Sequence, residues 1–310
     1  MSAAVNVTLG RIAMRNPVMT ASGTSGYGQE LAEFFELKAL GAFVTKAITR
    51  AERLGNETPR LVETRAGMVN AIGLANVGLE VFLKDKLPWL REQGVPVIVN
   101  VAGSTIDEYV AVASALDGAE GVDGLELNIS CPNVKAGGLE FGRSDKAIRD
   151  VVGAVRQAVK RATLIVKLTP NVTDITAMAR AAIEAGAEAL TLINTLSGLV
   201  INARTRRPVL ANVFGGLSGP AIKPVALKMV YDVYRTVARE AGVPIIGVGG
   251  IQTGADAVEF LLAGATAVQV GTATFVDPRA SVDVAAGIAS YLDENGFENV
   301  SELIGGLRVG

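Results

Sequence analysis

The stretch Gly124-Leu-Glu-Leu-Asn-Ile-Ser-Cys-Pro-Asn-Val-Lys-Ala-Gly-Gly-Leu-Glu-Phe-Gly142 holds the only cysteine of the chain, Cys131. Asn128 and Asn133 flank that thiol, and Pro132 biases its backbone away from the helical region. A lone cysteine is often just a small apolar core residue. Asn, Ser, Pro and Asn are poor company for a core, so the loop reads as a place where a planar polar ligand meets a proton-transfer group. The chain contains no histidine. Proton transfer must therefore use Cys, Lys, Tyr, a carboxylate, a hydroxyl or water.

Further polar residues sit at the ends of short apolar runs. Ser22 follows the first run and Lys46 the second; Asn100 lies near the end of the third, and Asn128 closes the fourth. Lys167 lies in the fifth run, Asn194 and Thr195 follow the sixth, and the last two end in Gly249-Gly250 and Gly271-Thr272. Buried without partners, such lysines and amides would together cost several kcal/mol, so a polar ligand is expected to pair with them. Glycines in the last two loops let backbone N–H groups approach a phosphate, helped by the N-terminus of a following helix. Asn both donates and accepts, which suits a pyrimidine or an isoalloxazine ring. Lysines suit a carboxylate, a phosphate or an anionic reduced flavin. The set reads as flavin mononucleotide beside a small planar anion.

The elements that must position these residues are short apolar strands at Pro17–Thr20, Ala42–Thr45, Val97–Val101, Gly124–Leu127, Leu164–Leu168, Ala189–Ile193, Ile245–Val248 and Ala267–Val270. Each run reads as apolar on both faces, as parallel strands covered by helices should. Helical periodicity runs through Ile148–Val159, Ile175–Ala185 and Ala221–Arg239, and Ser104–Asp107 and Thr253–Asp256 have the capping-box form. A strand, polar loop and amphipathic helix repeated eight times predict an α/β fold, a (β/α)8 TIM barrel, as a single domain over residues 1–310. A doubly wound sheet is the alternative, but Ala21–Gly26 lacks the dinucleotide spacing. Val5–Met14 predicts a hairpin turning at Gly10-Arg11 that covers one end. Two connections, Ala47–Asn76 and Ser197–Gly219, are too long for simple loops. Their arginines at 50, 53, 60, 65, 204, 206 and 207 read as solvated or structural, and the segments themselves as a lid or a docking surface.

Bulk composition excludes several classes. Net charge is −2 over 310 residues, with no basic footprint for nucleic acid. One cysteine and no histidine leave no internal disulfide, no Cys/His metal site and no four-cysteine cluster from this chain alone. Neither a leader nor a run of the roughly 20 apolar residues of a membrane span is visible, so a cytoplasmic protein is expected.

Taken together, Asn128-Ile-Ser-Cys-Pro-Asn133, Asn70-Ala-Ile-Gly-Leu74, Lys46-Ala47, Asn194-Thr195, Gly249-Gly250 and Gly271-Thr272 resemble the dihydroorotate dehydrogenases. The resemblance runs from about Val5 to the C-terminus. Gly55-Asn56 with Pro59-Arg60, the Asn70–Leu74 motif and the Lys135–Gly142 loop are most similar to the NAD-linked, two-subunit class. The membrane-bound, quinone-linked class has serine where this chain has Cys131.

The resemblance implies oxidation of dihydroorotate to orotate in pyrimidine biosynthesis. It assigns FMN to Ser22, Lys46, Ala47, Asn100, Asn128, Lys167, Ile193, Gly219, Gly249, Gly250, Gly271 and Thr272. Dihydroorotate or orotate falls to Lys46, Asn70, Ala71, Ile72, Gly73, Leu74, Asn128, Asn133, Asn194 and Thr195. Cys131 matches the base that removes the C5 proton while C6 gives hydride to the flavin, and Lys167 would neutralise the reduced flavin. No metal is implied on this chain. The class further implies a partner subunit carrying FAD and a 2Fe–2S cluster, in a two-plus-two heterotetramer. Three alternatives stay open: a fumarate-linked homodimer, a dihydropyrimidine dehydrogenase-like activity on uracil or thymine, and a non-redox phosphate-binding barrel.

Overall fold

The structure, a computed structural model, describes residues 3–130 and 141–309. In chain order its strands are β1 (Val7–Leu9), β2 (Ile12–Met14), β3 (Val18–Thr20), β4 (Phe43–Val44), β5 (Leu61–Thr64), β6 (Gly67–Asn70), β7 (Val97–Val101) and β8 (Gly124–Asn128). They continue as β9 (Thr163–Lys167), β10 (Ala189–Leu192), β11 (Leu196–Leu199), β12 (Ile201–Asn202), β13 (Arg207–Pro208), β14 (Phe214–Ser218), β15 (Ile245–Val248) and β16 (Ala267–Val270).

Eight of these form one parallel sheet in the order β3-β16-β15-β10-β9-β8-β7-β4. A parallel bridge between Met19 and Ala42 joins the two ends and closes the barrel. All eight strands predicted from the apolar runs are present, with ends shifted by a residue at most. Their β-branched and leucine side chains are buried on both faces, against the barrel interior and the surrounding helices. The interior is not wholly apolar, however. Glu126, Thr191 and Gln269 lie within the strands and are fully buried.

Helices Ile106–Asp117, Asp145–Ala158, Ile175–Glu184, Gly254–Ala263 and Ala280–Asn295 separate or follow the later strands, and helical segments run on from Pro220 to Ala241 ahead of β15. The first unit departs from the predicted repeat. Between β3 and β4 stand only the 3-10 turns Leu31–Glu33 and Leu37–Ala39. Leu31 and Leu37, which open these two turns, are buried, as is Leu40 just after the second. One predicted cap also moves. Thr105, not Ser104, caps the helix that opens at Ile106, and its side chain accepts from the Glu108 N–H. The Thr253–Asp256 capping box forms as expected.

The β1–β2 hairpin buries Val7, Leu9, Ile12 and Met14 at the N-terminal end of the barrel, where the Ile12 side chain reaches the start of β8 at Gly124. At the other end the two long connections do something the sequence did not suggest. They pair with each other. β6 of the first runs antiparallel to β14 of the second, giving a four-stranded sheet in the order β11-β14-β6-β5. Arg53 bonds the Ser104 hydroxyl at 2.7 Å, and Arg60 bonds the Leu54 and Asn56 carbonyls. Arg50, Arg65, Arg204, Arg206 and Arg207 are exposed.

Candidate active site

The C-terminal ends of the barrel strands and the inner side of the four-stranded sheet enclose one cavity of about 800 Å³. Barrel strands β3 and β4 lead into Ser22, Lys46 and Ala47, β7 supplies Asn100, β8 Asn128, and β9 Lys167. Ile193, Asn194 and Thr195 follow β10, and the glycine loops after β15 and β16 bring Gly249, Gly250, Gly271 and Thr272. From the covering sheet and its flanks come Asn70, Ala71, Ile72, Gly73, Leu74 and Gly219. Every described residue singled out from the sequence therefore lines this one space. Cys131 and Asn133 lie outside the described residues; Ser130, immediately before them, lines the cavity.

Polar side chains in the wall are held in fixed orientations. Asn194 Nδ2 donates to Asn128 Oδ1 at 3.3 Å, and Asn194 Oδ1 accepts from the Thr195 N–H at 2.8 Å. Tyr109 donates its hydroxyl to the Asn128 carbonyl at 2.6 Å, and Asn70 Nδ2 donates to the Gly216 carbonyl at 3.2 Å. Lys167 donates to Ser22 Oγ at 3.4 Å and to Gln269 Oε1 at 3.2 Å. Lys46 is half-buried. Burial lowers its pKa from the ordinary lysine value, and the charge of Arg60 lowers it further against the opposing pull of Glu30.

Among the polar residues in or beneath this wall to which sequence reasoning assigned no site role are Glu126, Thr191, Gln269, Asn171 and Ser130. Glu126 accepts from Asn100 Nδ2 (2.7 Å), Thr191 Oγ1 (2.8 Å) and Gln269 Nε2 (2.6 Å), and lies 3.6 Å from Lys167 Nζ. A carboxylate and an amide inside otherwise apolar runs were the available signal. Asn171 ties the Thr195 carbonyl to the Ser197 N–H, and Ser130 bonds the Lys167 carbonyl.

The glycine loops have a bare backbone for a steric reason. Gly249 and Gly250 sit at φ +138° and +76°, and a Cβ at Gly250 would stand 2.9 Å from the Gly219 carbonyl oxygen and 2.8 Å from Lys223 Cβ. Only glycine fits there without strain. The helix N-terminus expected to assist already carries a carboxylate and a side-chain cap. Asp256 accepts from the Gln252 and Thr253 N–H groups, and the Thr253 hydroxyl takes the Asp256 N–H. Lys223 is likewise committed, to Asp256 at 2.6 Å and Glu259 at 2.9 Å. After β16 a 3-10 turn, Thr272–Phe275, comes before the helix that opens at Ala280. An anion in these loops would depend on the glycine backbone itself.

The pattern of the family described as dihydroorotate dehydrogenase matches residues 4–292. This chain belongs to the dihydroorotate dehydrogenase family. Its relatives include a protein of Geotalea daltonii, 55% identical over 305 residues that cover 98% of each chain, and one of Trichlorobacter lovleyi, 55% identical over 308 residues, 99% of this chain and all of the other. A protein of Geobacter sulfurreducens is similar at 55% over 305 residues, again 98% of each chain. All three are named dihydroorotate dehydrogenase B (NAD(+)), catalytic subunit.

Membership of the dihydroorotate dehydrogenase family implies a flavin, and the residues present fit one. Asn100 Oδ1 is buried in the cavity wall without a hydrogen-bond partner, an acceptor waiting for an N–H or O–H donor. Lysine ammonium groups, amides and bare glycine backbone are the donor set that a ring with carbonyls and a phosphate tail requires. No helix among the described residues is long and apolar enough to cross a membrane. No group of three or more His, Cys, Asp or Glu among them could hold a metal ion.

Proposed function

We propose that this chain is the FMN-bearing catalytic half of an NAD-linked dihydroorotate dehydrogenase, oxidising (S)-dihydroorotate to orotate in the cytoplasm for pyrimidine biosynthesis. The observation that carries the reading is the convergence of Lys46, Lys167, Asn70, Asn100, Asn128 and Asn194 on one cavity. FMN, held by these residues, would supply the two-electron chemistry as the acceptor of a hydride from the substrate.

The chain's own residues supply binding, orientation and the proton. Lys46 offers a cation to the substrate carboxylate, and Asn70, Asn128, Asn133, Asn194 and Thr195 offer amides and a hydroxyl to the ring's alternating donors and acceptors. Ala71, Ile72, Gly73 and Leu74 line the substrate end beside Asn70. Cys131 takes the C5 proton, a role supported by its place next to cavity-lining Ser130 and by the lack of any histidine. Lys167 holds positive charge at the flavin end, and Gly249, Gly250, Gly271 and Thr272 cradle the phosphate.

NAD is favoured as the final acceptor by the names of the relatives. The chain has no dinucleotide fingerprint, so electrons leave through a second subunit bearing FAD and a 2Fe–2S cluster, in a two-plus-two assembly. The test starts with the chain purified alone. Its yellow flavin should bleach when dihydroorotate is added without oxygen, and NAD should restore the colour only once the partner subunit is present. Reoxidation by fumarate alone would place the chain in the homodimeric class. No flavin uptake and no bleaching after reconstitution with FMN would sink the assignment.

A further inference from the structure

Glu126 is a buried carboxylate in the site region to which the proposed reaction gives no task. It sits in the middle of β8, fully buried. Taking an ionised carboxylate out of water is expensive, and a well-packed apolar residue at the same place would often be as stabilising or more so. Its partners suggest what the charge is for. Oε1 takes the amide hydrogen of Asn100, its register partner on β7, and faces Lys167 Nζ at 3.6 Å. Oε2 takes the Thr191 hydroxyl and the Gln269 amide.

A carboxylate only accepts. It therefore turns the amide nitrogens of both Asn100 and Gln269 towards itself and their carbonyl oxygens away. The Gln269 oxygen then accepts from Lys167 at 3.2 Å, and the Asn100 oxygen is left at the cavity wall without a partner. One buried anion thus fixes where the Lys167 ammonium stands and which way Asn100 faces. We propose that Glu126 is a positioning residue for the flavin: it is the counter-charge that holds Lys167 in place and tempers its field, and the acceptor that presents Asn100 to the ligand as an acceptor. This rests on the flavin reading above.

Sulfite tests it, because sulfite adds to oxidised flavin as an anion, gives a colourless product, and is stabilised by positive charge nearby. In the FMN-loaded chain Glu126→Gln keeps the side chain's shape and removes its charge. It should bind sulfite at least about tenfold more tightly than wild type, the factor expected from deleting one charge even about 12 Å away at an effective dielectric near 20. Glu126→Asp keeps the charge and should stay near the wild-type affinity. An unchanged or weaker sulfite affinity in Glu126→Gln, or an equal shift in Glu126→Asp, overturns the proposal.

If Glu126→Gln does not load with FMN, a denaturant double-mutant cycle on the unloaded chain decides. The substitution should be far less damaging in a Lys167→Met background, where no buried ammonium is left alone. Equal damage in both backgrounds would make Glu126 a packing residue and nothing more. Failure of the flavin reading shows separately, as a wild-type chain that neither takes up FMN nor bleaches with dihydroorotate.

Discussion

Lys46 and Cys131 divide the proposed chemistry between a binding cation and a base, and each is open to a separate measurement. Cys131→Ala removes the base but none of the described cavity wall. It should keep FMN and orotate affinity and slow flavin reduction by two to four orders of magnitude, the usual worth of a positioned base. Near-normal reduction in a stopped-flow trace would take Cys131 out of the mechanism. The Lys46 prediction concerns pH. Burial, reinforced by Arg60, lowers its pKa from 10.5. A lysine is charged below its pKa and neutral above it, so a lowered value brings the neutral form in at a less alkaline pH. Orotate affinity should therefore weaken as pH rises through a window that starts below the ordinary lysine range. A flat profile up to that range, or a decline that persists in Lys46→Met, would separate Lys46 from the substrate carboxylate.

Elements carry these residues to the cavity, and Asp117 shows how firmly. The last residue of helix Ile106–Asp117, it accepts the N–H groups of Lys160, Arg161 and Ala162 at 2.7–2.9 Å, just ahead of β9, whose far end is Lys167. Burial raises the Asp117 pKa, but those three N–H groups and the charge of Arg161 outweigh it, so the net shift is downward from 3.8. A depressed carboxylate stabilises the fold above its unfolded pKa and loses that contribution as pH falls through the folded value. Asp117→Ala should cost about 2–3 kcal/mol at neutral pH by stranding one buried and two part-buried N–H donors, with a smaller difference in acid. A denaturant midpoint that does not move would show that water replaces the carboxylate.

Element-scale features were also unevenly visible in the sequence. The eight barrel strands were legible because each is a short run of Val, Ile, Leu and Ala bounded by polar residues. The covering sheet was not. β5 alternates between exposed and half-buried residues, β14 begins Phe-Gly-Gly, and Asn70 and Gly216, which face each other across β6 and β14, lie 146 residues apart. No local pattern announces such a pairing. Glu126 and Gln269 were passed over for the opposite reason: the apolar neighbours in their strands masked them.

Across the whole molecule, residues within or following each of the barrel strands β3, β4, β7, β8, β9, β10, β15 and β16 reach the wall of the cavity, together with the covering sheet. A ligand bound there to the folded state alone stabilises the entire barrel through mass action, by about 2.7 kcal/mol at one hundred times its dissociation constant. For a chain of this size that is a rise of several degrees in the unfolding temperature. FMN should produce it. Riboflavin shares the ring and ribityl chain but lacks the phosphate, and at the same concentration should give a much smaller rise if the Gly249-Gly250 and Gly271-Thr272 loops hold that group. Since Asp256 already occupies the nearby helix N-terminus, the phosphate's worth should come from the glycine backbone. Gly250→Ala, which sets a Cβ against the Gly219 carbonyl, should then bring the FMN response down towards that of riboflavin while leaving riboflavin's own response largely intact. Equal responses to FMN and riboflavin in the wild-type chain would mean that these loops hold no phosphate, whatever ring the cavity accepts.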